Sequence, residues 1–126
     1  MLLLDTCTFV WLTSAPGHLS ERAAEVLDAE SEILLSYASI WEICLKWQSQ
    51  KLELPTTPRE WVSEQVRRWY LQRAPIEPEH LYRTVELPEH HKDPFDRLLI
   101  AQALTRGVRI VTPDPAIREY PVAVVW

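Results

Sequence analysis

Three leucines, Leu2 to Leu4, run straight into Asp5 and Thr6, and the same change from a short apolar run to a polar junction recurs along the chain. Further apolar runs fall at residues 33–35, 108–111 and 122–126, with Ile76 in "APIEPEH" a weaker candidate for another strand. Runs this short are too brief for buried helices, and their lack of polar alternation is the pattern of strands covered on both faces. Between them lie helical patterns over residues 20–29, 39–50, 58–72, 78–86 and 94–106, each opening at Ser or Pro, and Gly107 stands where the last should stop. A further helix is expected from Thr6. Strands alternating with helices predict an α/β fold: a mainly parallel sheet with helices on both faces. In such a sheet the C-terminal ends of the strands and the starts of the following helices share one edge, and ligands bind along it.

The aspartates follow this geometry. Of the five in the chain, Asp5, Asp93, Asp96 and Asp114 fall at expected strand-to-helix junctions, and only Asp28 lies late in a helix. The glutamates spread over helix surfaces, except Glu42, which is ringed by apolar residues in "ASIWEICLKW". Each acid has a local explanation. Asp5 caps the helix from Thr6; Asp93 is an N-cap with Pro94 at the first helical position; Asp96 sits in that helix's first turn; Asp114 shapes a turn or caps Ala116 onward; Glu42 pairs with Lys46 at i, i+4. Together they bring several carboxylates to one edge, where mutual repulsion raises pKa values unless a cation neutralises it. Oxygen ligands without His or Cys suit Mg²⁺ or Mn²⁺, which polarise phosphate and lower the pKa of a bound water.

Other chemistries are poorly served. Only Gly17 and Gly107 occur, so there is no phosphate-binding loop or dinucleotide fingerprint. No Ser or Cys triad is readable. Cys7 and Cys44 are expected to be reduced packing thiols, without the spacing of a zinc site. His18, His80, His90 and His91 are expected at the surface, with His90 or His91 available to position phosphate. Thirteen basic against eighteen acidic residues give a net charge of −5, which argues against nucleic-acid binding by bulk electrostatics. Local phosphate contacts are open to Arg67, Arg68, Arg73, Lys92 and Arg97, although Arg68 also has Glu64 at i, i+4. Asp5 interrupts the apolar start and no basic segment precedes it, so neither a signal peptide nor a spanning helix is expected, and no membrane partner. Trp41, Trp47, Trp61 and Trp69 lie on two expected helices; most should be core, and any surplus suits a groove for a partner helix or a twin subunit.

The motifs resemble those of PIN-domain nucleases, and among them the VapC-type ribonuclease toxins of bacterial or archaeal toxin-antitoxin pairs. "LLLDT", "SIWEI" at Ser39 to Ile43, "DPFDRLLIAQA" at Asp93 to Ala103 and "VTPD" at Val111 to Asp114 stand in the family's order and spacing, and the third is very specific. The resemblance implies a three-layer sandwich in which residues 1–126 form a single PIN domain. It also implies a cytoplasmic, homodimeric, Mg²⁺- or Mn²⁺-dependent endoribonuclease that cleaves structured RNA to 5′-phosphate and 3′-hydroxyl ends and is inhibited by a small antitoxin. Carried over by position, it gives the metal and catalysis to Asp5, Glu42, Asp96 and Asp114, makes Asp93 a neighbour, and makes Thr6 and Thr112 supporting hydroxyls. Two residues depart from the pattern: Cys7 stands where His or Asn is expected, and Pro113 where a polar or basic residue is usual. The rival reading is a catalytically silent PIN-fold module that binds RNA or protein. A phosphatase of the haloacid-dehalogenase type would need a second aspartate at Cys7.

Overall fold

The computed structural model describes residues 1–126. Five strands, β1 (Leu2–Leu4), β2 (Ile33–Ser36), β3 (Gln72–Ala74), β4 (Arg109–Val111) and β5 (Val124–Val125), form one sheet in the order β3-β2-β1-β4-β5. Every pairing is parallel. The chain therefore builds outward from the central strand β1 through β2 to β3, then returns to the other side of β1 for β4 and β5. β1 and β4 are the neighbours at which that direction reverses, and the crevice outside their C-terminal ends is where such sheets bind ligands.

Side chains alternate across β1, so Leu2 and Leu4 enter one core and Leu3 the other. The first core joins α1 (Thr6–Ser14), α2 (Glu21–Ala29) and α4 (Pro58–Arg68) to the sheet through Phe9, Leu12, Ala23, Leu27, Trp61 and Val62. Phe9 and Trp61 meet edge to face at 5.4 Å. The second core uses Leu99, Ile100 and Ala103 of α6 (Pro94–Arg106) and Ile117 of α7 (Pro115–Arg118), and α5 (Pro78–Glu86) packs on α6. α3 (Tyr37–Gln48) serves both, with Ala38 in the second core and Ile43 in the first. Helices thus cover both faces, as the sequence predicts. No helix is long and apolar enough to cross a membrane.

Several expectations need correction. The third strand is Gln72–Ala74 and not the segment around Ile76. It is an edge strand whose first two side chains are exposed, so it carries no apolar signature. α3 starts at Tyr37 because Ser36 is its N-cap, accepting from the Ala38 N–H, and Ser39 lies buried inside the helix. α4 stops at Arg68: Trp69 is its C-cap and Tyr70 takes a positive φ of 53°. His80 is buried, with its Nδ1 accepting from the Glu77 N–H that opens α5. Burial, and then the charge of Arg106, hold its pKa below the usual histidine value. Of the four tryptophans on these helices only Trp61 is core; Trp41 is 60% exposed, Trp47 40% and Trp69 37%.

Candidate active site

The C-terminal ends of β1 and β4 are tied together by side chains of the first residues beyond them. The Asp5 N–H donates to the Val111 carbonyl, and the Thr8 hydroxyl donates to the same oxygen at 2.8 Å. The Asp5 carboxylate accepts from the Thr8 N–H at 2.7 Å, which caps α1, and from the Thr112 hydroxyl just past β4. Thr112 Oγ1 in turn accepts from the Asp114 N–H, while Asp114 caps α7 by accepting from the Ala116 N–H. Thr6 donates to Ser39 across to α3 at 3.0 Å. Asp93 caps α6, one carboxylate oxygen accepting from the N–H groups of both Phe95 and Asp96.

Every local role foreseen for these acids is therefore filled, and their convergence is real as well. A cleft of about 330 Å³ is lined by Asp5, Glu42, Asp93, Asp96 and Asp114 together with Lys46. Capping and clustering are not alternatives, because a residue that caps the helix following a strand already stands on the ligand-binding edge of the sheet. Thr6 also lines this cleft, and Thr112 braces Asp5 from behind. A larger apolar pocket of about 590 Å³ lies beside Ile33 and Leu71, at the opposite ends of β2 and β3. It holds only two acids, and one of them, Glu30, is paired with the N-terminal amine at 3.1 Å.

The charge shows in the ionisation of the cleft groups. Burial, augmented by the charges of Asp93 and Asp114, pushes the Asp96 carboxyl up to about 6. Desolvation raises Asp5 as well, outweighing its hydrogen bonds to Thr112 and Thr8. Glu42, 11% exposed, pairs with the Lys46 ammonium at 2.9 Å. Burial alone would lower the Lys46 pKa, but that bond and the charges of Glu42, Asp93 and Asp96 raise it. Lys46 is thus the cation that answers the cluster from within the chain, a role that its i, i+4 spacing from Glu42 does not reveal.

No three of the His, Cys, Asp and Glu side chains stand together as a finished metal cage. The cleft carboxylates have partners within the chain: Asp5 two donors, Glu42 Lys46, and Asp96 the His91 Nε2 at 3.2 Å. As a donor set they still fit a hard divalent cation, since they offer carboxylate oxygens whose mutual repulsion a cation relieves.

Further side chains stand differently from expectation. Cys7 is exposed at the cleft and is no packing thiol, whereas Cys44 is half-buried. Desolvation, then the charge of Asp5, pushes the Cys7 thiol up to about 11, so it is protonated at neutral pH. Arg67, and not Arg68, pairs with Glu64. Arg97 does not reach toward the cleft: its guanidinium donates to the carbonyls of Thr84, Pro88 and His91 and to the Tyr120 hydroxyl. His91 is engaged by Asp96 and Tyr120, and no sequence signal marks Tyr120, 29 residues away, as its partner.

The sequence pattern of the PIN domain matches residues 2–123. The chain belongs to the PIN-domain family. It is 26% identical over 120 residues to Ribonuclease VapC22 of Mycobacterium tuberculosis, covering 94% of this chain and 91% of that one. Its fold is similar to that of VapBC from Salmonella typhimurium in a DNA-bound crystal structure, with a TM-score of 0.72 at 18% identity, covering 98% of this chain and 95% of that one. VapBC2 from Rickettsia felis, bound to a promoter DNA fragment, gives a TM-score of 0.71 at 15% identity, covering 98% and 96%. The all-parallel sheet between helix layers is thus the PIN architecture that the sequence motifs imply.

Proposed function

We propose that this PIN protein is a metal-dependent endoribonuclease of the VapC type, the toxin of a toxin-antitoxin pair, with residues 1–126 acting as one PIN domain. The observation that carries this reading is the convergence of Asp5, Glu42, Asp96 and Asp114, with Asp93 beside them, on one cleft at the reversal point of the sheet. The likeness to Ribonuclease VapC22 supports the activity, and the likeness to VapBC structures supports a small antitoxin partner.

Asp5, Glu42 and Asp96, with Asp114 assisting, would hold Mg²⁺ or Mn²⁺, which would supply phosphate polarisation and water activation for hydrolysing a phosphodiester without a covalent protein nucleophile. The chain's own groups prepare the site. Asp5 is its fixed member, held by the Thr8 amide and the Thr112 hydroxyl. Glu42 is its adjustable member, because its partner is the half-exposed Lys46 ammonium, whose charge a divalent cation would replace at the carboxylate. Once released, the Lys46 ammonium is a donor at the cleft for a substrate phosphate. Asp93 spends its bonded oxygen on α6 and fixes the helix turn that carries Asp96. Protein nucleophiles are idle: Cys7 is a protonated thiol, and the Thr6 and Ser39 hydroxyls bond to each other with no histidine beside them.

The substrate is structured RNA, cut to 5′-phosphate and 3′-hydroxyl ends in the cytoplasm. The active form is a homodimer, and the exposed Tyr37, Trp41 and Leu45 of α3 and Leu81, Tyr82 and Val85 of α5 are apolar area suited to a partner chain. A silent binding module has no need of five carboxylates against one lysine in a single cleft, since capping accounts for Asp5, Asp93 and Asp114 but not for Glu42 and Asp96 beside them. Purified protein freed of any partner should cleave structured RNA in Mg²⁺ or Mn²⁺ and stop in excess EDTA, with 5′-phosphates found on sequencing the ends. Cleavage undiminished by EDTA, with contaminating nuclease excluded, would refute the metal reading.

A further inference from the structure

Behind Asp96 stands an array of polar side chains that the cleft itself does not use. Tyr120 is buried, 3% exposed, and its hydroxyl meets four groups. It accepts from the His91 N–H at 3.2 Å and from Arg97 Nη1 at 3.0 Å, and it lies 2.7 Å from His91 Nδ1 and 3.4 Å from the His91 carbonyl. A phenol has one proton and two lone pairs. Both lone pairs are taken by N–H donors, so the proton is left for the nearer of two acceptors, His91 Nδ1. That nitrogen then carries no hydrogen in the neutral ring, which places the ring proton on Nε2. Nε2 lies 3.2 Å from Asp96 Oδ2. The array therefore reads in one direction: the Arg97 and backbone donors orient the Tyr120 hydroxyl, the hydroxyl sets the His91 tautomer, and His91 donates to Asp96. No hydrogen bond engages the other carboxylate oxygen of Asp96, and Asp96 is one of the residues that line the cleft.

We propose that His91 is a positioning residue that pins Asp96 Oδ2 through its Nε2–H, with Tyr120 fixing the tautomer, and so presents the free Asp96 oxygen to a divalent cation. This rests on the metal-nuclease reading above. It removes His91 from the groups available to bind RNA phosphate, since both ring nitrogens are already committed. Supporting partners of this kind behind a metal-binding carboxylate are commonly worth 10–100-fold in metal affinity.

The test is Mn²⁺ binding, followed by electron paramagnetic resonance, in the full chain and in three variants at His91, with thermal melts in EDTA alongside. In His91→Leu the donor is gone, and Mn²⁺ affinity should fall by about 10–100-fold, with cleavage recovered at high Mn²⁺. The amide nitrogen of Gln reaches as far as Nε2 whereas that of Asn reaches only as far as Nδ1, so His91→Gln should retain most of the affinity and His91→Asn should not. A purely structural role would instead lower the melting temperature in all three and leave their Mn²⁺ affinity at the wild-type value. Equal Mn²⁺ affinity in wild type and His91→Leu would overturn the positioning role alone; if His91→Leu does not fold, equal affinity in the Gln and Asn variants does the same. Wild-type protein that binds no Mn²⁺ would overturn the nuclease reading and the positioning role together.

Discussion

Asp93 and Asp96 stand one helical turn apart and spend their charge differently. Asp93 faces back on the helix, with one oxygen shared by two free amides, whereas Asp96 lies at the cleft against His91. Asp93→Ala should therefore cost about 0.5–2 kcal/mol of stability, as lost caps do, and keep part of the cleavage. Asp96→Asn should lower cleavage by orders of magnitude while the fold holds or gains stability. The pH dependence separates them further. The Asp96 carboxyl rises from 3.8 to about 6 in the folded protein, so the folded state binds its proton more tightly than the unfolded chain does. The stability this contributes is complete below the unfolded pKa and is lost as pH rises through the folded one. In EDTA, the melting temperature of wild type should accordingly fall relative to Asp96→Asn between about pH 4 and about pH 7. Melts that stay parallel across that range would mean that burial and the neighbouring charges do not raise this carboxyl, and an Asp96→Asn variant that cleaves normally would mean that Asp96 holds no cation.

The start of α6 is secured by Arg97, the last residue of "DPFDR". Its fork closes on the carbonyls of Thr84 in α5 and of Pro88 and His91 in the loop that follows, and on Tyr120 beyond α7. One guanidinium thus joins α5, the loop and α6. Arg97→Ala should destabilise by roughly 2–4 kcal/mol, because several carbonyls lose a charged donor at once. Arg97→Lys should recover little of this, since an ammonium lacks the planar fork. Denaturant unfolding of both variants checks it, and a Lys variant as stable as wild type would show that the fork geometry is irrelevant. The sequence presents Arg97 as a free cation near acids; only the fold reveals where its two terminal nitrogens go. Elements announced by apolar runs or by caps were readable in advance, among them β1, β2, β4 and the helices capped by Asp5, Asp93 and Asp114. Those with neither were not: β3 shows solvent two of its three side chains, and His80 looks like a surface residue until its ring is found accepting the amide that opens α5.

The sheet order makes the site. β1 and β4 are separated by most of the chain, yet Leu4 pairs with Val111, and this register sets Asp5 beside Thr112 and Asp114. That the acids would meet on one edge follows from strand-helix alternation alone, because every strand end points the same way in a parallel sheet. The distances among them do not follow, nor does the way Lys46 and His91 occupy the carboxylates, since both depend on side-chain packing between α3, α6 and the loop after α5. Asp5 is where the two kinds of information coincide, the first polar residue after the first strand and the best-anchored carboxylate in the cleft. An Asp5→Asn variant keeps size and the α1 cap acceptor and removes the charge; its amide NH2 then faces the Thr112 hydroxyl, which must turn from donor to acceptor. The rate at which it cleaves one end-labelled structured RNA in Mn²⁺, set beside wild type at matched folded concentration, decides the matter. A metal site at Asp5 requires a loss of at least about 100-fold with the melting temperature in EDTA unchanged or raised, as expected when a charge that a bound cation requires is taken from a repulsive cluster. Cleavage at the wild-type rate by folded Asp5→Asn would contradict it.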